Sequence, residues 1–342
     1  MHFTTIDVAI IGAGPIGIFT IFACGLVDLK TCVIDSSQTI GGQCTTLYPQ
    51  KNIYDIPGFI KITANELIER LTQQASIFRP RYIVNTLITD IYIDNNIFYL
   101  YQKNELVTTS ASIILATGAG YSLPNKPDIS HLEQFENISV FYHVHNVEQY
   151  RNKKVVIVGG GDSALDWAIV LSTIAEKVII IHRRDIFRAA NYTARKIQEM
   201  SEIMVYNPYI VKEMYGHNGY LQSITIQHIE SQAELKLTVD YVLICCGFHA
   251  VTEHAIKIRD QNRCIIPIDM AHGAIAVQTH NYATNIPGIY AVGDAASYHG
   301  KRKLILCGFS ESITAAHSIY KFINNKIKDT QHSTSMKIFH HE

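Results

Sequence analysis

Two short glycine-rich runs, each between an apolar stretch and a helical pattern, carry the most legible chemistry in this chain. The first is Gly12-Ala13-Gly14-Pro15-Ile16-Gly17, after the apolar residues 8–11; the second is Gly159-Gly160-Gly161-Asp162-Ser163-Ala164, after residues 155–158. Glycines at a strand-to-helix turn permit a tight bend and let the backbone approach a pyrophosphate, which meets unpaired N–H groups at the helix start. The residues downstream of the two runs differ in charge. Asp35, 23 positions after Gly12, ends the apolar run 31–34, whereas the run 178–181 ends in His182-Arg183-Arg184, with Arg183 24 positions after Gly159. A carboxylate accepts hydrogen bonds from ribose hydroxyls, and guanidinium groups suit a 2′-phosphate. The first turn therefore wants an adenosine with an unphosphorylated ribose, and the second wants NADPH.

The elements that must position these groups repeat one plan. From Ile6 the pattern predicts a strand, the glycine turn, a helix from Pro15 to about residue 27, and a strand ending at Asp35; Pro15 suits a first helical position, where a missing N–H costs nothing. After a loop rich in glycine, tyrosine and proline, Thr63-Ala64-Asn65-Glu66 reads as a capping box for a helix to about Phe78. Alternating apolar stretches over 81–115 predict a β-meander. Residues 121–154, with Pro124 and Pro127, read in part as a connection between domains. A second unit repeats the opening: strand 155–158, helix 163–175, strand 178–181, a helix over 191–200, and later strands to Cys245. The stretch 288–294 predicts a strand ending in Gly293-Asp294, and 308–324 an apolar-periodic helix. The first domain is thus expected to be discontinuous, 1–119 with 248–342, around a second domain at 120–247.

The chain has 342 residues, enough for two full cores, and 29 Lys and Arg against 30 Asp and Glu. A net charge of −1 offers no global attraction to nucleic acid or an anionic membrane. The seven cysteines are odd in number and scattered, which reads as reduced thiols in a cytoplasmic protein. No basic leader and no apolar run of ~20 residues is seen, so neither export nor a membrane span is expected. His143, His145, His340 and His341 have no companion ligands at metal spacing, and no metal is expected.

Together with Gly41-Gly42-Gln43 and Ala116-Thr117-Gly118, these motifs resemble the pyridine-nucleotide flavoproteins of thioredoxin-reductase type over nearly the whole chain. The resemblance implies an α/β fold of two Rossmann-like nucleotide-binding domains in three-layer ββα form. Tyr48-Pro49, Tyr54-Asp55, the run from His182 through Arg188 to Ala189, and the tail His332-Ser333-Thr334-Ser335 resemble the ferredoxin–NADP⁺ reductases sharing that fold. One departure is decisive. Where thioredoxin reductases carry Cys-x-x-Cys to pass electron pairs to a disulfide, this chain has Tyr142-His143-Val144-His145, and no Cys-x-x-Cys occurs anywhere. Cys245-Cys246 is adjacent rather than spaced and reads as part of a buried strand.

The resemblance implies FAD on the first domain, held by Gly12, Gly14, Pro15, Gly17, Asp35, Gly42, Gln43, Ile88, Gly118, Ser122 and Asp294, with Tyr48 beside the flavin. It implies NADPH on the second, held by Gly159, Gly161, Asp162, Ser163, His182, Arg183, Arg184 and Arg188. His332 and Ser335, from a carboxy-terminal extension, would reach the flavin of a partner subunit in a homodimer. NADPH would deliver hydride to the flavin, which releases single electrons to a ferredoxin or flavodoxin. Lys301-Arg302-Lys303 is a candidate docking run and equally a solvated surface. Other readings stay open: a disulfide reductase using an external dithiol protein, an NADPH oxidase, or a redox sensor holding both nucleotides without turnover.

Overall fold

A computed structural model describes residues 5–118, 120, 122–144, 146–250 and 256–326. The chain forms two compact units: Met1–Ser122 with Ala250–Glu342, and Leu123–His249. It passes between them through paired strands Ser122–Pro124 and Phe248–Ala250.

The first unit is built on strand Ile6–Ile11, which runs parallel to Thr31–Ile34 on one side and to the end of the long strand Glu105–Leu115 on the other. Buried on both faces, such strands read as continuous apolar runs, as Val8-Ala9-Ile10-Ile11 does. The long strand serves two sheets' worth of neighbours. Its first half pairs antiparallel with Ile97–Gln102, and its last residues take Ile289–Ala291 as a further parallel partner. Asp90–Asp94 completes the meander, while Arg81–Ile83, expected to belong to it, instead extends the parallel side beside Thr31–Ile34.

Three helices cover this sheet. Pro15–Gly25 has Gly14 at its N-cap with no side-chain cap and packs against Ile305–Asn324, where Thr20 Oγ1 donates to Ser312 Oγ at 2.9 Å. Ala64–Ser76 begins with the expected cap: Glu66 N–H donates to Thr63 Oγ1 at 3.2 Å. The polar outer face is laced by an Arg70–Glu66 pair four residues apart.

The second unit has a parallel five-stranded sheet in the order Val140–Phe141, Tyr241–Ile244, Lys154–Val158, Lys177–Ile181, Ile203–Tyr206. Helix Asp162–Ser172 comes after the second glycine run, and Asn191–Glu199 after the arginines. An antiparallel sheet of Tyr209–His217, Tyr220–His228 and Glu234–Thr238 packs its apolar face, through Val211, Met214, Ile224 and Ile226, into the same core. In each unit the glycine run leaves a strand flanked by neighbours on both sides, the place where an open α/β sheet leaves a crevice beyond its carboxyl ends.

Candidate nucleotide sites in the two units

The glycines of the first run divide into two kinds. A Cβ at Gly12 would lie 2.3 Å from the Ala116 carbonyl oxygen, and one at Gly17 would lie 1.9 Å from that of Gly12. These two let the strand, turn and helix close on one another. A Cβ at Gly14 would meet nothing within 4 Å. Gly14 therefore faces open space at an uncapped helix start, the cradle that a pyrophosphate fits.

Around this turn the fold gathers most of the expected residues. Asp35 Oδ2 accepts the Ala13 N–H at 2.6 Å and Oδ1 accepts the Ser37 N–H at 2.8 Å. A carboxylate offers about four acceptor positions, so two remain for ribose hydroxyls. Gly41 N–H donates to the Ala13 carbonyl at 2.7 Å, seating Gly42 and the exposed Gln43 beside Gly14. Thr86 N–H bonds the Asp35 carbonyl, which brings the 85–88 segment alongside; the Ile88 side chain is 2% exposed in the core, so its backbone is what that segment offers a ligand. Gly118 lies just past the end of the long strand and opens onto free space. Tyr48 is half-buried, and its hydroxyl is pushed up by burial first, then by Cys44, with Asp294 contributing. The Asp294 carboxylate thus stands near Tyr48. Ser122 lies in a described strand, but its side chain, like His332 and Ser335, falls outside the described residues.

A group that the sequence alone did not reveal lies behind Asp294. Glu311 is 1% exposed inside helix Ile305–Asn324 and accepts the Gly293 N–H and the Tyr298 hydroxyl, each at 2.7 Å, and Lys301 Nζ. Lys301 is consequently the buried partner of an ion pair and not a solvated docking cation. Breaking such a pair from one side costs about 3–5 kcal/mol, because it strands a charge away from water. The available signal was periodic: Glu311 stands four and eight residues before Ala315 and Ile319 on the helix's buried stripe.

The second run repeats the division. A Cβ at Gly159 would fall 2.6 Å from the Cys245 carbonyl oxygen, and one at Gly160 would fall 2.4 Å from the His182 ring, while one at Gly161 meets nothing. Gly161 caps helix Asp162–Ser172 without a side-chain bond. His182 is 6% exposed and stacks on Phe187 with centroids 5.5 Å apart. Its Nε2 lies 3.2 Å from the Ile186 carbonyl oxygen, an acceptor only, which assigns the proton to Nε2. Burial holds the imidazole below its ordinary pKa; the Ile186 bond opposes this, and Arg184, Arg183 and Arg188 reinforce it.

A neutral ring thus anchors a loop whose Arg183, Arg184 and Arg188 side chains are all exposed. Arg188 N–H and Ala189 N–H both donate to the Gly160 carbonyl, at 2.7 and 3.2 Å, tying the arginines to the glycine turn. Asp162 Oδ1 accepts the Ala190 N–H at 2.9 Å, so this acid, expected to touch nucleotide, latches the same loop. Ser163 is exposed at the helix start.

All seven cysteines are unpaired. Cys245 lies beyond the end of strand Tyr241–Ile244, its thiol raised to about 12 chiefly by burial, and Cys246 is exposed, which corrects the reading of both as strand core. In place of a dithiol, Tyr142 donates its hydroxyl to Glu136, which also pairs with Lys126. Among the described residues no cluster of His, Cys, Asp and Glu could hold a metal.

Two sheets, one mixed and one wholly parallel, each with an uncapped glycine turn leaving a parallel strand and with opposite charge beyond it, define a two-nucleotide oxidoreductase. Residues 6–325 match the family described as pyridine nucleotide-disulphide oxidoreductase, and this chain belongs to it. Its relatives include proteins named ferredoxin–NADP reductase from Ehrlichia canis (strain Jake), 41% identical over 338 residues and 98% of each chain, and Rickettsia bellii (strain OSU 85-389), 42% identical over 94% of each. Among solved structures, Lactococcus lactis thioredoxin reductase in its FR conformation superposes with a TM-score of 0.75 at 25% identity, covering 94% of this chain and 100% of that one. Thioredoxin reductase from T. acidophilum shares the fold at a TM-score of 0.74.

Proposed function

We propose that this chain is a ferredoxin–NADP reductase, with FAD held by the first unit and NADPH by the second. The observation that carries the reading is the pairing of two nucleotide turns of opposite outlook with unpaired cysteines that make no disulfide relay. Gly14 and the uncapped start of Pro15–Gly25 offer N–H groups to the pyrophosphate of FAD, Asp35 offers oxygens to its ribose, and Tyr48 and Asp294 flank its remainder. Arg183, Arg184 and Arg188 offer donors to a 2′-phosphate, steadied by His182 and Asp162. When bound, the flavin supplies the conversion between a two-electron hydride donor and a one-electron acceptor. The residues of this chain bind, orient and shield.

The ferredoxin or flavodoxin partner rests on the printed names of the relatives and on the missing dithiol. A homodimer, in which His332 and Ser335 serve the partner's flavin, and a cytoplasmic setting belong to the same reading. No helix among the described residues is long and apolar enough to cross a membrane. The test is an anaerobic addition of NADPH to the yellow protein followed by a panel of ferredoxins, flavodoxin and thioredoxin. Rapid bleaching with reoxidation by ferredoxin or flavodoxin is expected. A colourless protein that takes up no FAD, or efficient thioredoxin reduction, would refute it.

A further inference from the structure

We infer that Glu311 is a positioning residue for the flavin site, acting through the Gly293 N–H, with Lys301 as its neutralising partner. The inference rests on the proposed role of Asp294. Gly293 and Asp294 form a single tight turn, Gly293–Ala295, with Gly293 at φ +67° and its Cα face against Ile16 of the glycine-run helix. Nothing in the turn caps its own first N–H. Glu311 reaches it from the long helix, 18 residues on, and the same carboxylate takes the Tyr298 hydroxyl and Lys301 from the segment just past the turn.

The carboxylate therefore joins both ends of the 293–301 segment to helix Ile305–Asn324, and the Asp294 side chain is aimed by whatever fixes Gly293. A neutral apolar plug would fill the same space with less desolvation, so the retained ion pair points to a requirement for an acceptor at this place. The same bond shows at Tyr298, whose hydroxyl is driven up by burial and then by Glu311.

The experiment separates charge, acceptor and volume in the full-length holoprotein. FAD dissociation is followed by the fluorescence released on dilution, with the visible flavin band as a second readout and far-UV circular dichroism as a check on folding. Asp294→Ala tests the underlying reading: unaltered FAD retention there removes the turn from the flavin site, and the inference falls with it. With Asp294→Ala weakened, Lys301→Met/Glu311→Gln, which drops both charges but keeps an amide acceptor for Gly293, is expected to hold FAD within about threefold of the parent. Lys301→Met/Glu311→Leu, equally neutral but without an acceptor, is expected to lose tenfold or more and to shift the flavin band. Equal FAD retention by the Gln and Leu doubles, with parental circular dichroism, would overturn the inference.

Discussion

Gly160 and His182 are in contact so close that the smallest side chain at position 160 would enter the imidazole, its Cβ 2.4 Å from the ring. The ring is held by Phe187 and the Ile186 carbonyl and cannot withdraw without moving the arginine loop. Gly160→Ala is expected to cost about 1–3 kcal/mol, the usual penalty of overpacking, and to weaken 2′,5′-ADP binding. Adding His182→Ala should recover part of the stability, as read by urea denaturation. Equal losses in single and double variants would rule out the steric account.

The same ring makes stability depend on acid. Because burial depresses the His182 pKa, the unfolded chain takes up that proton first as pH falls. Its contribution is whole above the unfolded value, about 6.5, and is lost as pH drops towards the lower folded value. The urea midpoint of the parent should therefore fall more between about pH 7.5 and 5.5 than that of His182→Gln. Parallel curves would assign the ring no such role.

Two glycines two residues apart should fail in different ways. Gly12→Ala places a Cβ against Ala116 at a backbone angle of +106°, and the strained conformation alone costs about 1–3 kcal/mol. Gly14→Ala meets no protein atom, so stability should hold while FAD content falls. Thermal melting beside the flavin-to-protein absorbance ratio distinguishes them.

Replacing Arg183 and Arg184 by alanine should raise the KM for NADPH by about ten- to a hundredfold per lost phosphate contact and leave that for NADH nearly unchanged. Steady-state kinetics with both nucleotides is the measurement. Equal losses with both would dissociate these residues from the 2′-phosphate.

The thiols should prove dispensable for electron transfer. Cys246 and Cys264 are exposed and should react first with a thiol reagent, while Cys24, Cys32 and Cys44 stay silent in the folded protein. Cys245→Ser/Cys246→Ser should reduce ferredoxin at the parental rate. A tenfold loss with the flavin still bound would revive a sulfur relay.

The features legible in the sequence are local. Strand Thr31–Ile34 and the Thr63 cap are set by neighbours a few residues away, and both were readable, as were the glycine turns. The partnership of Lys301 with Glu311 was not, because a basic triplet looks solvated until a loop folds one member under a helix. The latch between Asp162 and the Ala190 N–H was hidden for a similar reason, the two standing 28 residues apart in sequence. Arg81–Ile83 carries no mark of which neighbour it takes, since pairing with Thr31–Ile34 is fixed by the sheet and not by its own three residues.

Strand Ile289–Ala291 and helix Ile305–Asn324, which complete the first unit, are encoded after the whole of the second. During synthesis the contiguous second unit can therefore mature on the ribosome while the opening strands wait, their apolar faces uncovered, for a helix still to be translated. The interrupted unit is the one whose nascent chain most needs chaperone protection.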